Sequence, residues 1–214
     1  MDVAAIVVAA GEGERYGSRK QFCDLAGRSV AARSVDAARS IAELVVIVVP
    51  PDSIAEGHGA DVVVAGGPSR AASVRAGLAA IDAPVRVVVV HDAARPLASP
   101  ALFCAVVAAL DDAAVDGAVP GLAIADTVKR VTGPDDPVVA ETLDRSTLVA
   151  VQTPQAFVAE VLRRAHREAR DATDDASLVE SIGGRVVVVP GEPSNRKLTT
   201  RDDLVSMLAS VEES

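Results

Sequence analysis

The chain has 214 residues and a formal net charge of −9, with 30 acidic residues, 18 arginines and only three lysines. This acidic balance argues against a general nucleic-acid or anionic-membrane binder, because such proteins need a basic field. Three Phe and one Tyr are the only aromatic residues, so a base-stacking surface for single strands is also excluded.

Short Val/Ile-rich runs alternate with Ala-rich stretches along the chain. The predicted strands are Val3–Ala9, Leu44–Val49, Asp61–Ala65, Val85–Val90, Gly117–Val119, Leu148–Val151 and Arg185–Val189. The first four are continuously apolar, which favours a mainly parallel sheet covered on both faces. The predicted helices are Val30–Ser40, Ser69–Ile81, Pro100–Leu110 and Phe157–Arg170. This alternation predicts an α/β three-layer fold with ligands bound at the carboxyl ends of the strands.

One segment breaks the alternation, at about residues 125–146. Two polar arms with alternating character flank a turn rich in Gly, Pro and Asp at 132–137, which predicts a protruding β-hairpin. A hairpin alone buries too little apolar surface to be stable, so we expect it to pack against a second copy of the chain. No internal repeat or linker is apparent, and residues 1–214 are predicted to form a single domain with this arm.

A glycine-rich loop follows the first predicted strand. Gly11 and Gly13 allow backbone N–H groups to face a phosphate. A dinucleotide-binding fingerprint would need glycine where Tyr16 stands, and the Gly-Lys-Ser/Thr of a Walker loop is absent. A nucleotidyltransferase loop fits better, since the cationic Arg15 and Lys20 come next. The plain alternative is a glycine turn with solvated charges.

The cysteines and the amino terminus bear on location. Cys23 and Cys104 have neither metal-ligand spacing nor a disulfide pattern. The first residues lack the basic region of a secretory signal, and the apolar runs are of strand length. We therefore expect a cytoplasmic protein.

The loop sequence Ala9-Ala10-Gly11-x-Gly13-x-Arg15, followed by Lys20-Gln21, resembles the opening of the 2-C-methyl-D-erythritol 4-phosphate cytidylyltransferase family of the non-mevalonate isoprenoid pathway. The resemblance continues in order over nearly the full length, through Gly66-Gly67 with Arg70 and Ser73, His91-Asp92-Ala93-Ala94-Arg95-Pro96, Asp126-Thr127-Val128-Lys129, Asp144-Arg145, Gln152-Thr153-Pro154-Gln155, Thr173-Asp174-Asp175-Ala176-Ser177 and Lys197-Leu198-Thr199.

The resemblance implies a Rossmann-like nucleotidyltransferase fold and a transferase acting as a homodimer through the arm. The implied reaction moves CMP from CTP to 2-C-methyl-D-erythritol 4-phosphate, giving 4-diphosphocytidyl-2-C-methyl-D-erythritol and pyrophosphate. The implied catalytic cations are Arg15, Lys20 and Lys197. The implied CTP-binding residues are Ala10, Gly11, Gly13, Gly66, Gly67, Ser73, Asp92 and Ala93. The implied sugar-phosphate contacts are Asp92, Arg95, Thr127, Arg145, Thr153 and Thr173. Of the last four, the threonines would contribute hydroxyl groups and Arg145 a guanidinium group. The implied cofactor is Mg²⁺ held mainly by the CTP phosphates, with Asp92 as a candidate ligand.

The chemistry of such a transfer agrees with the residue types. The attacking phosphate oxygen is already anionic near neutral pH, so no general base is required. The site instead needs fixed cations that neutralise and align two anions. Lys197, which precedes a predicted short strand, would otherwise be an exposed solubilising charge. His91 is expected to pack or hydrogen-bond locally.

Two alternative functions and the roles of three residues stay open at this point. A cytidylyltransferase for ribitol 5-phosphate or a similar alditol phosphate would need the same kinds of contact. A non-catalytic nucleotide-binding protein could share the fold. Pro68 departs from the polar residue expected after the glycine pair, so contacts to the base there would come from the backbone. Thr153 and Thr173 could equally be a turn residue and a helix cap, and Ser69 is expected to cap the second predicted helix.

Overall fold

The helices and strands follow the predicted alternation. The computed structural model describes residues 2–11, 13, 16–133, 135, 137–168 and 174–212. The strands are β1 (Val3–Val8), β2 (Asp24–Leu25), β3 (Arg28–Ser29), β4 (Leu44–Val49), β5 (Val62–Ala65), β6 (Val87–Asp92), β7 (Gly117–Ala123), β8 (Lys129–Val131), β9 (Val139–Thr142), β10 (Val149–Val151), β11 (Gln155–Val158) and β12 (Val186–Pro190). The helices are α1 (Val30–Ala38), α2 (Arg70–Ala79), α3 (Pro100–Ala108), α4 (Ala159–Glu168), α5 (Asp175–Ser181) and α6 (Arg201–Glu212).

A central, largely parallel sheet contains most of the strands. β6, β1, β4 and β5 are neighbours in that order and all run parallel. β11 lies between β6 and β7 and is antiparallel to both. β10 pairs with the distal half of β7 on the same edge as β11, while β12 runs parallel to β7 along its other edge. The predicted mainly parallel sheet is confirmed.

Helices cover both faces of this sheet. Alternate residues of β1 point in opposite directions, so Ala5 and Val7 pack with α1 and α3, whereas Ala4 and Ile6 pack with α2 and α4. All four side chains are fully buried. The predicted three layers are therefore present, and the Val- and Ala-rich strands are explained by burial on both faces.

Serine residues cap the amino-terminal ends of three helices. The hydroxyls of Ser29, Ser69 and Ser99 accept hydrogen bonds from the backbone N–H groups three residues later, which satisfies one free donor at each helix start. The expected cap at Ser69 is thus confirmed. This cap fixes the beginning of α2 beside the carboxyl end of β5.

The structure moves the start of one predicted helix, extends β6 and β7 beyond their predicted ends at Val90 and Val119, and adds elements. Residues 157 and 158, predicted as the start of a helix, belong to β11, and α4 begins only at Ala159. Ala156 and Phe157 are fully buried between β6 and β7, so pairing in the sheet overrides the helical tendency of the Ala-rich stretch that follows. Helix α6 and the β2–β3 pair were not predicted.

The hairpin prediction is confirmed as a small separate sheet. β8 and β9 pair antiparallel with each other, with Lys129 opposite Thr142. Their residues are exposed, and the apolar side chains of Val131, Val138 and Val139 are 45%, 59% and 56% exposed. The arm therefore presents apolar surface to its surroundings.

No helix within the described part of the chain is long and apolar enough to cross a lipid bilayer.

Candidate active site

A cleft lies at the carboxyl ends of the central parallel strands. Its volume is about 570 Å³, which is within the range of small-molecule sites. It is lined by Val8, Ala9, Ala10, Gly11, Gly13, Lys20, Gln21, Gly67, Pro68, Ser69, Arg70, Ser73, Asp92, Ala93, Ala94 and Lys197. The prediction of a ligand site at this edge of the sheet agrees with this position.

Gln21 holds the glycine loop in shape. Its side chain is buried, and its amide donates hydrogen bonds to the carbonyl oxygens of Ala9 (2.8 Å) and Gly11 (2.9 Å). Gly13 has φ +71°, and a Cβ at this position would collide with the carbonyl of Ser18. Gln21 thus holds the described residues 9 and 11 of the loop, and Lys20 directly precedes this anchor in the chain. Glu12, Glu14 and Arg15 lie outside the described residues, so the role predicted for Arg15 stays a prediction.

The second wall of the cleft depends on glycine as well. A Cβ at Gly66 would collide with the Cβ of Ala10, so only glycine lets the loops after β5 and β1 approach this closely. The Ser73 hydroxyl donates to the Ser69 carbonyl (3.0 Å) and accepts from the Gly67 N–H (3.2 Å). Ser73 therefore fixes the loop and keeps one oxygen lone pair beside the cleft.

Asp92 ends β6 with a carboxylate that two cations neutralise. Lys197 Nζ donates to Asp92 Oδ2 at 2.6 Å, and Arg70 Nε donates to Oδ1 at 3.3 Å. The Asp92 side chain is only 13% exposed. Burial alone would raise the pKa of this carboxyl, but the charges of Arg70 and Lys197 hold the pKa well below its usual range. Asp92 is therefore ionised whenever the two cations are in place.

Arg70 is a site residue to which the sequence analysis gave no role. Its Nη1 donates to Asp175 Oδ2 at 2.7 Å, so the guanidinium bridges two carboxylates. Burial would lower the pKa of Arg70, but Asp175 and Asp92 together raise it. Asp175 in turn accepts from His166 Nε2 at 2.9 Å. The sequence places Arg70 directly after the capping serine, but its pairing with the distant Asp92 and Asp175 is visible only in the folded chain.

His91 is fully buried behind Asp92 and has a defined tautomer. Its Nε2 lies 3.1 Å from the carbonyl oxygen of Arg95, which can only accept, so Nε2 carries the proton. Nδ1 then accepts from the Thr153 hydroxyl (3.2 Å), and that oxygen accepts the Asp92 N–H (3.0 Å). The expectation that His91 bonds locally is confirmed. The hydroxyl of Thr153 is engaged inside the chain.

Lys197 reaches the cleft from an extended segment without regular structure. The sequence analysis placed it before a short strand, which is wrong, because no strand follows β12 in the described part of the chain. Leu198 replaces that strand as an anchor: it is fully buried, and its N–H donates to the Ala94 carbonyl at 2.7 Å. The Leu198 backbone bond and its buried side chain thus anchor the chain directly after Lys197.

Arg95, Thr127 and Arg145, also predicted to bind the sugar phosphate, lie away from the cleft lining. Arg95 Nη1 donates to the Asn195 carbonyl at 2.7 Å. Thr127 and Arg145 are exposed at the base of the arm, where Arg145 Nη1 donates to the Ala125 carbonyl. Thr173 lies outside the described residues. Within one chain the cleft lining therefore contains the residues predicted for CTP except Gly66, and it does not include Thr127 or Arg145.

Known proteins resemble this chain over its full length. The family model described as 2-C-methyl-D-erythritol 4-phosphate cytidylyltransferase matches residues 3–213. A protein of that name from Rhodococcus opacus is 46% identical, over 99% of this chain and 96% of its own. A bifunctional enzyme IspD/IspF from Anaeromyxobacter dehalogenans is 48% identical over 94% of this chain. The chain spans only 55% of that bifunctional relative.

Solved structures agree with the sequence comparisons. The 2-C-methyl-D-erythritol 4-phosphate cytidylyltransferase from Thermus thermophilus superposes with a TM-score of 0.83 at 34% identity, covering 99% of this chain and 100% of that one. The 4-diphosphocytidyl-2C-methyl-D-erythritol synthase from Anaerococcus prevotii gives a TM-score of 0.84 at 30% identity, covering 99% and 98%. The predicted nucleotidyltransferase fold is confirmed.

The buried His91 predicts a defined loss of stability in mild acid. Burial lowers the pKa of His91 to about 4, against about 6.5 in an unfolded chain. As the pH falls from 6.5 to 4, the unfolded chain gains a proton at this ring and the folded chain does not. We expect this residue to remove about 3 kcal/mol of stability across that window, with no further loss below it.

Urea unfolding of the wild type and His91→Gln at pH 7 and pH 4.5 measures this contribution. The glutamine amide retains a donor for the Arg95 carbonyl but does not titrate. The variant should lose less stability between the two pH values than the wild type. Equal losses would show that His91 is not held neutral by burial.

Proposed function

The chain belongs to the 2-C-methyl-D-erythritol 4-phosphate cytidylyltransferase family, and we propose that it transfers CMP from CTP to 2-C-methyl-D-erythritol 4-phosphate in isoprenoid precursor biosynthesis. The observation that carries this proposal is the cleft at the strand ends, where Arg70 and Lys197 contact Asp92 and Lys20 lines the same cleft beside the glycine loop. The products are 4-diphosphocytidyl-2-C-methyl-D-erythritol and pyrophosphate.

The reaction needs positive charge more than it needs acid–base groups. A phosphate oxygen of the sugar phosphate forms a bond to the α-phosphorus of CTP, and the bond from that phosphorus to pyrophosphate breaks. The nucleophile is already anionic, so proton removal is unnecessary. Lys20 and Lys197 are both in the cleft lining and would neutralise charge that develops as the two anions meet. Their effect is largest when they are already fixed before the substrates arrive.

The cleft also suits the nucleoside. Gln21 holds the Ala9 and Gly11 carbonyls, which leaves N–H groups of the loop for the triphosphate. The opposite wall has small residues, and the Ser73 oxygen retains an acceptor lone pair. An acceptor at that place suits a ring with an amino group, as cytosine has.

We further propose that a divalent metal, Mg²⁺, takes part. Among the described residues, no group of three or more His, Cys, Asp or Glu is arranged to hold a metal. Asp92 is the carboxylate of the cleft lining, and its two oxygens contact Lys197 and Arg70. This donor set fits an ion held mainly by phosphate oxygens of CTP, with Asp92 as a protein ligand after it releases a cation. When bound, the metal supplies further charge neutralisation.

The arm supports the proposal of a homodimer. Thr127 and Arg145 are exposed and lie outside the cleft lining of their own chain. The arm also exposes Val131, Val138 and Val139. A second copy packed on this apolar surface would bring Thr127 and Arg145 to the partner's cleft, where hydroxyl and guanidinium groups suit a phosphate.

A cytoplasmic location is part of the same proposal. Cys23 and Cys104 are both free thiols in the structure. Unpaired cysteines are the usual state in a reducing compartment.

Pyrophosphate release tests the reaction and its rival substrate together. With CTP and Mg²⁺, we expect kcat/KM for 2-C-methyl-D-erythritol 4-phosphate to exceed that for ribitol 5-phosphate by roughly 10-fold or more, because a site built for one set of hydroxyls leaves groups unpaired with the other. Chelation of the metal should stop the release. Equal or better turnover of ribitol 5-phosphate would support the other alditol phosphate. CTP binding without any pyrophosphate release would indicate a non-catalytic nucleotide-binding protein.

Mixed subunits test whether the site is shared. Lys20→Ala should lower kcat far more than it weakens CTP binding, and Arg145→Ala should mainly raise KM for the sugar phosphate. Each homodimer would be poorly active at low substrate. After random exchange of equal amounts, a shared site predicts about a quarter of wild-type activity, because only one site in each mixed dimer is intact. Activity no greater than the sum of the parents would mean that each subunit supplies its own complete site.

A further inference from the structure

Two buried side-chain amides lie behind the segment that carries Lys197. Gln152 is 5% exposed and Asn195 is fully buried. Gln152 follows β10, and its N–H donates to the Pro120 carbonyl of β7 at 2.8 Å. The backbone of Gln152 is therefore attached to the central sheet, whereas Asn195 belongs to an irregular loop.

The Gln152 amide fixes both ends of the turn at residues 192–195. Its Nε2 donates to the carbonyl oxygens of Glu192 (2.9 Å) and Asn195 (3.2 Å). Its Oε1 accepts from the Glu192 N–H (3.1 Å) and from Asn195 Nδ2 (3.3 Å). One planar group thus makes four contacts with the turn, and Lys197 comes two residues after it.

The same stretch of backbone also fixes the partner of Lys197. The Thr153 hydroxyl accepts the Asp92 N–H at 3.0 Å, and the Thr153 carbonyl accepts from Asn195 Nδ2 at 2.9 Å. Residues 152 and 153 are therefore attached to Asp92 on one side and to the loop of Lys197 on the other. The 2.6 Å contact between Lys197 Nζ and Asp92 Oδ2 depends on both attachments.

We propose that Gln152, together with Asn195, is a positioning residue for Lys197: it places the ammonium group for turnover without touching the substrates. This inference rests on the proposed function. The glycine loop that would receive the triphosphate has its own anchor, Gln21, which does not contact the turn at 192–195. A change at Gln152 should therefore affect kcat and leave CTP binding nearly intact.

The variant Gln152→Glu tests this with little change in volume. It keeps an acceptor for the Glu192 N–H and Asn195 Nδ2 but places a carboxylate oxygen against two carbonyl oxygens. A displacement of about 1 Å at a reacting group can cost about 100-fold in rate, so we expect kcat to fall roughly 10- to 100-fold. KM for CTP should change by less than about 3-fold, because uniform binding is preserved.

A double-mutant cycle with Lys197→Met separates positioning from general damage. If Gln152 acts through Lys197, adding Gln152→Glu to Lys197→Met should lower kcat by less than about 2-fold, since the group being positioned is gone. Leu162→Ala, in a fully buried site of α4, is the control for lost stability and should retain kcat at a temperature where it is folded. If Gln152→Glu does not fold, Asn195→Ala takes the place of that variant in the cycle. It removes the side-chain amide that donates to Gln152 Oε1.

The possible results are distinct. Non-additive kcat values with an unchanged KM for CTP support the positioning role. Equal fold losses in both backgrounds, or a raised KM for CTP with kcat retained, would overturn it while the proposed function stands. If the wild type released no pyrophosphate from CTP and the sugar phosphate, the proposed function would fail first and the positioning role would fall with it.

Discussion

The neutralisation of one buried carboxylate organises the candidate site. Asp92 stands at the end of β6, whose side chains are all buried, and an unpaired charge there would cost several kcal/mol. Lys197 and Arg70 remove that cost at 2.6 and 3.3 Å. Each cation comes from a different part of the chain, so Asp92 connects the first residue of α2 with the segment before α6. The positive charge of Arg70 and Lys197 stabilises the buried Asp92 carboxylate, and positive charge is also what a phosphate-transfer site requires.

This arrangement reconciles an acidic protein with anionic ligands. The formal charge of −9 is spread over the molecule, whereas Lys20, Arg70 and Lys197 converge on one cleft. The positions of the three lysines show the same concentration of positive charge in the cleft. Two of them line the cleft, and the third, Lys129, donates to Thr142 across the exposed arm. A local cluster of fixed cations is sufficient to bind phosphate groups, and a broad basic surface is unnecessary.

Local patterns in the sequence were enough to predict the parallel strands, the serine cap at Ser69, the arm and the cleft at the strand ends. These features depend on neighbouring residues and on apolar periodicity. The second half of β11 was mistaken for helix because a strand of four residues is too short to show a period of its own. Arg70 and Gln152 were missed as functional side chains because their partners, Asp175 and Asn195, are distant in sequence. Long-range polar pairing leaves no local pattern, so only the folded arrangement shows it.

Asp92 and Lys197 form a coupled pair that holds the site together. Urea unfolding of the wild type, Lys197→Met, Asp92→Asn and the double variant measures that coupling directly. Lys197 is 43% exposed on its side chain, so solvent screening limits the expected loss on Lys197→Met to about 1 kcal/mol. The account predicts that most of this loss disappears in the Asp92→Asn background. An equal loss in both backgrounds would contradict it.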